Sequence, residues 1–342
     1  MYIPNTRWTW AFLLTAVTQA VIALVLEAYV FARFQNALKA NLDQDHNESR
    51  TIPTYLAVFM FGYIYQIALV YDALAQKNTI QVIGLVIYNI GILIYAAIQF
   101  DQIDEAVTAL KSLNLLDDLS VWAEIHAELI ALPILMAVAT VVFAFIAWKL
   151  YDEFAWTIYK HISADLRMKR RYLTYQIYIA LLKFDFFFFL AFTVQFLVVV
   201  KKTSTVEIAL TAAALVTTFV MLFLAAYWVR REAVAGMIVV IVLYFVALGY
   251  FLFKLVRMYA ADADRLQDYR PARKSLTSFA VLTVLLLIIT IVTACICTHN
   301  FNRGLKPFVN EKSVGSREEG KAEGYGMPSL SGPAPATRME ID

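Results

Sequence analysis

Apolar residues run almost unbroken for twenty or more positions in eight places along this chain, with short charged clusters between them. The runs are 10–31, 54–74, 80–99, 128–150, 173–200, 205–229, 233–256 and 277–297. A helix rises ~1.5 Å per residue, so about twenty residues cross ~30 Å of hydrocarbon. The pattern predicts an all-α fold, a polytopic transmembrane helix bundle of eight spans, or seven if the first is discounted. The shortest separation is "KKTSTVE", where Lys201 and Lys202 are too polar for a bilayer interior, so the fifth and sixth spans are kept apart. Residues 1–9 are a short N-terminal segment, and the run from Trp10 to Phe31 is too long for a cleavable signal. It reads as a first span that also directs insertion. Segment 298–342 is rich in Gly, Pro, Ser and charge and buries too little apolar surface to order itself, so a disordered tail is expected.

Composition agrees. Of 342 residues 61% are hydrophobic and 16% charged, with a mean hydropathy of +0.64, so the lipid bilayer is the first expected partner. A net charge of +2 does not argue for nucleic acid, because the basic residues flank apolar runs as topology requires.

Orientation follows from Lys and Arg on alternate sides. With the N-terminus cytosolic, sixteen fall on the cytosolic side and twelve on the other, setting Lys183 aside. Loop 254–274, with six basic residues, runs against this choice. Asn47-Glu48-Ser49 is a glycosylation acceptor pattern that needs the lumen, and this orientation puts it there. Both termini are then cytosolic. Loop 100–127 is acidic and carries Ile103, Val107 and Leu110 at helical spacing, followed by Leu116, Leu119 and Trp122. It predicts short amphipathic helices on the luminal surface or a helical cap packed on the bundle.

The candidate chemistry is "LLKFDFFFFLAF" at 181–192, which places Lys183 and Asp185 in a strongly apolar helix. Counted from the nearest basic residue, Gln19, Gln66, Asn89, Lys183 and Asp185 lie roughly 16–21 Å deep, near the midplane. Lys183 and Asp185 are about 200° apart around the helix and cannot simply pair. Each needs its own partner. The depths suggest a midplane polar site of Lys183, Asp185, Asn89, Gln66 and Gln19, with Glu27 a lower-ranked partner for Lys183. Locked helix packing is the competing explanation. Ala209, Ala213 and Thr217 form a small-residue seam suited to close helix approach. Cys295 and Cys297 close the last span and are palmitoylation candidates or ordinary packing residues.

No metal site or cofactor is expected. Glu124, His126 and Glu128 splay apart at alternate spacing, and His46, His161 and His299 stand in loops or at span ends. Tyr71-Asp72 resembles half of an intramembrane aspartyl protease pair, yet no Gly-x-Gly-Asp follows. P-loop, HExxH and nucleophile-elbow patterns are missing too, so no enzyme is indicated.

From the fifth span onward, "LLKFDFFFFLAFTVQFLVVV", "AAYWVRREAVAGMIVVIVLYFVALGYFLFKLVRMY" and "ARKSLTSFAVLTVLLLIITIVTACICTHNFNRGLKP" resemble an uncharacterised fungal family of Golgi apparatus membrane proteins. "TQAVIALVLEAYVF" in the first span is similar as well. The resemblance covers residues 5–310 and implies a multi-pass Golgi protein; it transfers no site residues. Three functions stay open. One is a carrier whose polar layer handles a small solute or proton. The second is a receptor-like or trafficking scaffold without transport. The third, which no motif supports, is a lipid-modifying enzyme.

Overall fold

The computed structural model describes residues 3–38, 47–112, 120–161, 166–199, 205–259 and 273–303. Eight helices are its regular elements: α1 (Arg7–Ala37), α2 (Asn47–Ala75), α3 (Thr79–Ser112), α4 (Val121–His161), α5 (Leu166–Val199), α6 (Thr205–Arg231), α7 (Val234–Tyr259) and α8 (Arg273–His299). Each is long and apolar enough to cross a membrane. The expected tail beyond residue 303 lies outside the described residues, as do positions 201–204.

Local chemistry sets the ends. Thr6 caps α1 reciprocally with Thr9: each side-chain oxygen accepts from the other's backbone N–H. Lys77 and Glu232 take left-handed φ values of 49° and 55° just past α2 and α6. The chain folds back there, with Asn78 N donating to Ala73 O at 2.9 Å and Ala233 N to Trp228 O at 3.1 Å. Asn78 also accepts from the backbone of Ile80 and Gln81, which starts α3. Two tight antiparallel hairpins result.

Within each half, neighbours in sequence are neighbours in space. In the first half α1 packs on α2 and α4, and α3 packs on α2 and α4, closing a ring of four helices. The second half repeats the arrangement, with α5 on α6 and α8 and α7 on α6 and α8. The two rings meet along a seam where α2 and α3 face α5, and α3 faces α8. Along α1 one stripe is buried at Phe12, Ala16, Ala20, Ala23, Val30 and Phe34, while Leu14, Val21 and Val25 face outward. That outward face is where lipid sits. Lipid tails are as apolar as these side chains, so shape complementarity and hydrogen bonds hold the helices together.

Aromatic rings fill the seam. Phe187 lies 5.0 Å from Tyr88 and 5.3 Å from Phe188, centroid to centroid. Their close approach uses glycine: a Cβ at Gly62 would stand 3.2 Å from Phe187 Cζ, and one at Gly84 would collide with the Phe184 ring.

The described part of loop 100–127 takes one of its two expected forms, and the small-residue seam departs from expectation. Ile103, Val107 and Leu110 are buried at helical spacing, but on the continuation of α3 itself rather than on separate surface helices. They form a second apolar cluster with Phe34, Ile52, Leu56, Val121 and Ile125, so a cap packed on the bundle is the form present. Leu116 and Leu119 lie outside the described residues. The small-residue seam of Ala209, Ala213 and Thr217 is exposed, so it does not mediate close packing within this chain.

Candidate functional site

Among the described residues, four groups of buried polar side chains bear on the candidate site. The five residues singled out from sequence divide among three of them.

Gln19, Gln66 and Asn89 come together between α1, α2 and α3. Asn89 Oδ1 accepts from Gln19 Nε2 at 2.8 Å and from Gln66 Nε2 at 3.2 Å, while Asn89 Nδ2 donates to Thr140 Oγ1 at 2.8 Å. Met136 Sδ accepts from Gln19 Nε2 at 2.9 Å and from the Tyr63 hydroxyl at 2.6 Å. Asn89 is fully buried, and the network lies wholly within the first ring. Gln19 Oε1 has no hydrogen-bond partner among the described residues, but the other bonds tie α1, α2, α3 and α4 together.

Lys183 is not joined to that layer. Its ammonium reaches across the seam to the Asp72 carboxylate and to Gln81 Oε1, the latter at 2.9 Å. Gln81 Nε2 also donates to Asp72 Oδ2 at 2.8 Å, and Gln76 Nε2 to Asp72 Oδ1 at 2.6 Å. The lysine side chain is 23% exposed and the aspartate 36%, so the pair is half-open rather than sealed. Depth explains the choice. Asp72 is five residues from Lys77, and a lysine stem stretches along the helix toward the membrane surface. The main chain joins in, since the Tyr65 hydroxyl donates to the Lys183 carbonyl at 2.7 Å.

Asp185 points the other way, into the second ring. It is fully buried, and its Oδ2 accepts from Thr290 Oγ1 of α8 at 2.7 Å. Oδ1 has no hydrogen-bond partner among the described residues. The hydroxyls of Tyr178 and Tyr244, 3.0 Å apart, lie within electrostatic reach. The two charges of "KFD" thus serve different faces of α5, one toward each ring.

The fourth group lies toward the α3–α4 end and was not anticipated as a site. Glu27, 1% exposed, accepts from Gln99 Nε2 at 3.2 and 3.3 Å, so it serves α3 and not Lys183. Gln195 of α5 donates to the Tyr95 hydroxyl at 2.8 Å. Gln102 of α3 donates to Ser275 of α8 and to the Tyr55 hydroxyl, each at 3.3 Å. The signal for this group was present, since buried glutamines recur on α3 at 81, 99 and 102 together with Asn89.

The remaining candidates separate. Asn47 is the first residue of α2, and its side chain lies outside what the structure describes. Cys295 is exposed on the lipid side of α8, whereas Cys297 is buried with Sγ 3.7 Å from the Thr174 carbonyl. No group of three or more His, Cys, Asp or Glu with metal-ligand geometry occurs among the described residues.

No protein-family model matches the sequence, and no solved structure matches the chain. A UPF0658 Golgi apparatus membrane protein of Schizosaccharomyces pombe is 33% identical over 318 residues, spanning 87% of this chain and 88% of the relative. The aligned region takes in most of the bundle, in line with the resemblance noted in the first and later spans. The chain therefore belongs to the UPF0658 family of Golgi apparatus membrane proteins.

Proposed function

We propose that this protein resides in the Golgi membrane with both termini cytosolic and Asn47 luminal, and that it carries a small solute or proton along the seam between its two helical rings. The observation that supports this reading is where the hydrogen bonds cross the seam. Lys183 with Asp72 and Gln81 bridges it near one end, and Gln195 with Tyr95 and Gln102 with Ser275 bridge it near the other. Between them lies the aromatic packing of Tyr88, Phe187 and Phe188. Sites at the meeting of two helical halves are the common design of secondary transporters. A charge at the bilayer centre costs ~2.5–3.5 kcal/mol even on lenient insertion scales, so the fully buried Asp185 needs the specific partner it has in Thr290. In this reading Lys183 and Asp72 open and re-form one closure of the seam, while Asp185 holds α5 to α8 through Thr290.

The test is complementation of a deletion by a Lys183→Met/Asp185→Asn variant, scored at equal abundance and with localisation checked. Loss of the phenotype in a correctly placed, normally abundant protein supports the carrier reading. Full complementation rejects it in favour of the receptor-like or trafficking scaffold. One observation favours that second reading: the seam is filled by the rings of Phe187 against Tyr88, Phe188 and Phe279.

A further inference from the structure

At the ends of α5, α6 and α8 that face the cytosol in the proposed orientation, four arginines from distant parts of the chain converge. Arg171 Nη1 donates to the Arg303 carbonyl at 2.7 Å, which ties the start of α5 to the end of α8. Glu232, in the α6–α7 turn, accepts from the Asn302 backbone N–H at 3.0 Å and brings Arg230 and Arg231 to the same place. Tyr175, one turn from Arg171, lies close to Arg230. The Arg231 guanidinium lies 4.8 Å from the centre of the Tyr227 ring, and Arg303 Nη2 stands 3.2 Å from His299 Nε2.

The charge balance is one-sided. Among the described residues none of these four guanidinium groups makes an ion pair with a carboxylate. The carboxylate in their midst, Glu232, is buried, and one of its oxygens is engaged by Asn302. Arg230, Arg231 and Arg303 are exposed and Arg171 is half-buried. Topology alone would be served as well by lysine, but this cluster is all arginine. A guanidinium presents a planar fork that grips phosphate oxygens two at a time, which an ammonium cannot do. The cluster is held in place by backbone and tyrosine contacts, so little ordering remains to be done on binding. It also sits at helix ends beside Tyr175 and Tyr227, the depth at which headgroups lie.

We propose that this arginine cluster binds the phosphomonoester headgroup of an anionic membrane lipid. The proposal rests on the cytosolic assignment of this face only for which leaflet supplies the lipid, and binding in nanodiscs, open on both sides, does not depend on it. The full-length protein would be placed in phosphatidylcholine nanodiscs containing either phosphatidylinositol monophosphate or phosphatidylserine, and retained lipid measured by mass spectrometry after detergent exchange. Phosphatidylinositol monophosphate should be retained about tenfold over phosphatidylserine, and Arg171→Gln/Arg230→Gln/Arg303→Gln should lower its retention by about tenfold or more. Arg33→Gln, at the other end of the bundle, should change nothing. Should the triple glutamine variant melt early, Arg171→Lys/Arg230→Lys/Arg303→Lys keeps the charge and should still erase the preference for the phosphomonoester. Equal retention of the two lipids, undiminished retention by both triple variants, or complete displacement by millimolar inorganic phosphate would each overturn the proposal.

Discussion

Replacing Asn89 with leucine removes the centre of the amide layer while nearly keeping side-chain volume. Gln66 Nε2 donates to Asn89 and to no other side chain among the described residues, so it is left without a partner in a dry interior. Gln19 Nε2 keeps Met136 Sδ at 2.9 Å, and the Thr140 hydroxyl keeps the Met136 carbonyl at 2.7 Å. The stranded amide costs about 1–3 kcal/mol. The two weakened contacts add about 0.6 kcal/mol each on the scale measured between membrane helices. The sum is about 2–4 kcal/mol, which at ~2.1 cal/mol/K of unfolding entropy per residue lowers the melting temperature by roughly 3–6 °C. Restoring apolar symmetry should reverse the loss. The triple variant Gln19→Leu/Gln66→Leu/Asn89→Leu leaves none of the three amides stranded and should melt close to the wild type. Thermal unfolding in detergent, followed by size-exclusion, measures both. The reasoning fails if Asn89→Leu melts like the wild type, or if the triple variant is less stable than the single one.

Other outcomes follow from packing and exposure. Gly84→Ala drives a methyl into the Phe184 ring, and overpacking of about 1–3 kcal/mol outweighs the helix propensity gained. Gly249→Ala, with nothing within 4 Å of the new methyl, should be neutral or stabilising in the same melting assay. If the protein is S-acylated, the label in acyl-exchange should vanish in Cys295→Ser and persist in Cys297→Ser, because only the first thiol is exposed; the reverse pattern contradicts the burial. A C-terminal tag should be cleaved by protease added to intact vesicles, and a protected tag would overturn the proposed orientation.

The architecture was legible because each span is long, apolar and bounded by charge. Even the split between the fifth and sixth spans, resting on Lys201 and Lys202, corresponds to separate helices α5 and α6. Helix ends were less legible. A helix leaving the bilayer loses its apolar monotony but keeps its hydrogen bonds, so α3 continues to Ser112 through residues whose composition suggested a loop. The polar interior was half legible. Depth along the helix put Gln19, Gln66 and Asn89 in one layer, and their short side chains hydrogen-bond one another there. It misled for Lys183, whose long stem couples to Asp72 one or two turns nearer the surface. Azimuth was the other missing quantity. The opposed faces of Lys183 and Asp185 are readable from spacing, but which neighbour stands on each face is decided by how the rings close.

Ring closure has a consequence for biogenesis. All the helices of the first ring are made before α5 leaves the ribosome, and every hydrogen bond of its amide layer can form at that stage. Asp72 has Gln76 and Gln81 in its own half, but its cation, Lys183, is synthesised 111 residues later. During synthesis the first half therefore holds an acidic group facing what will become the seam, and the second half arrives with a matching cation. Domains form in order as the chain emerges. Here the late-formed ion pair gives the nascent half-protein a temporary mark of incompleteness, erased only when its other half has docked.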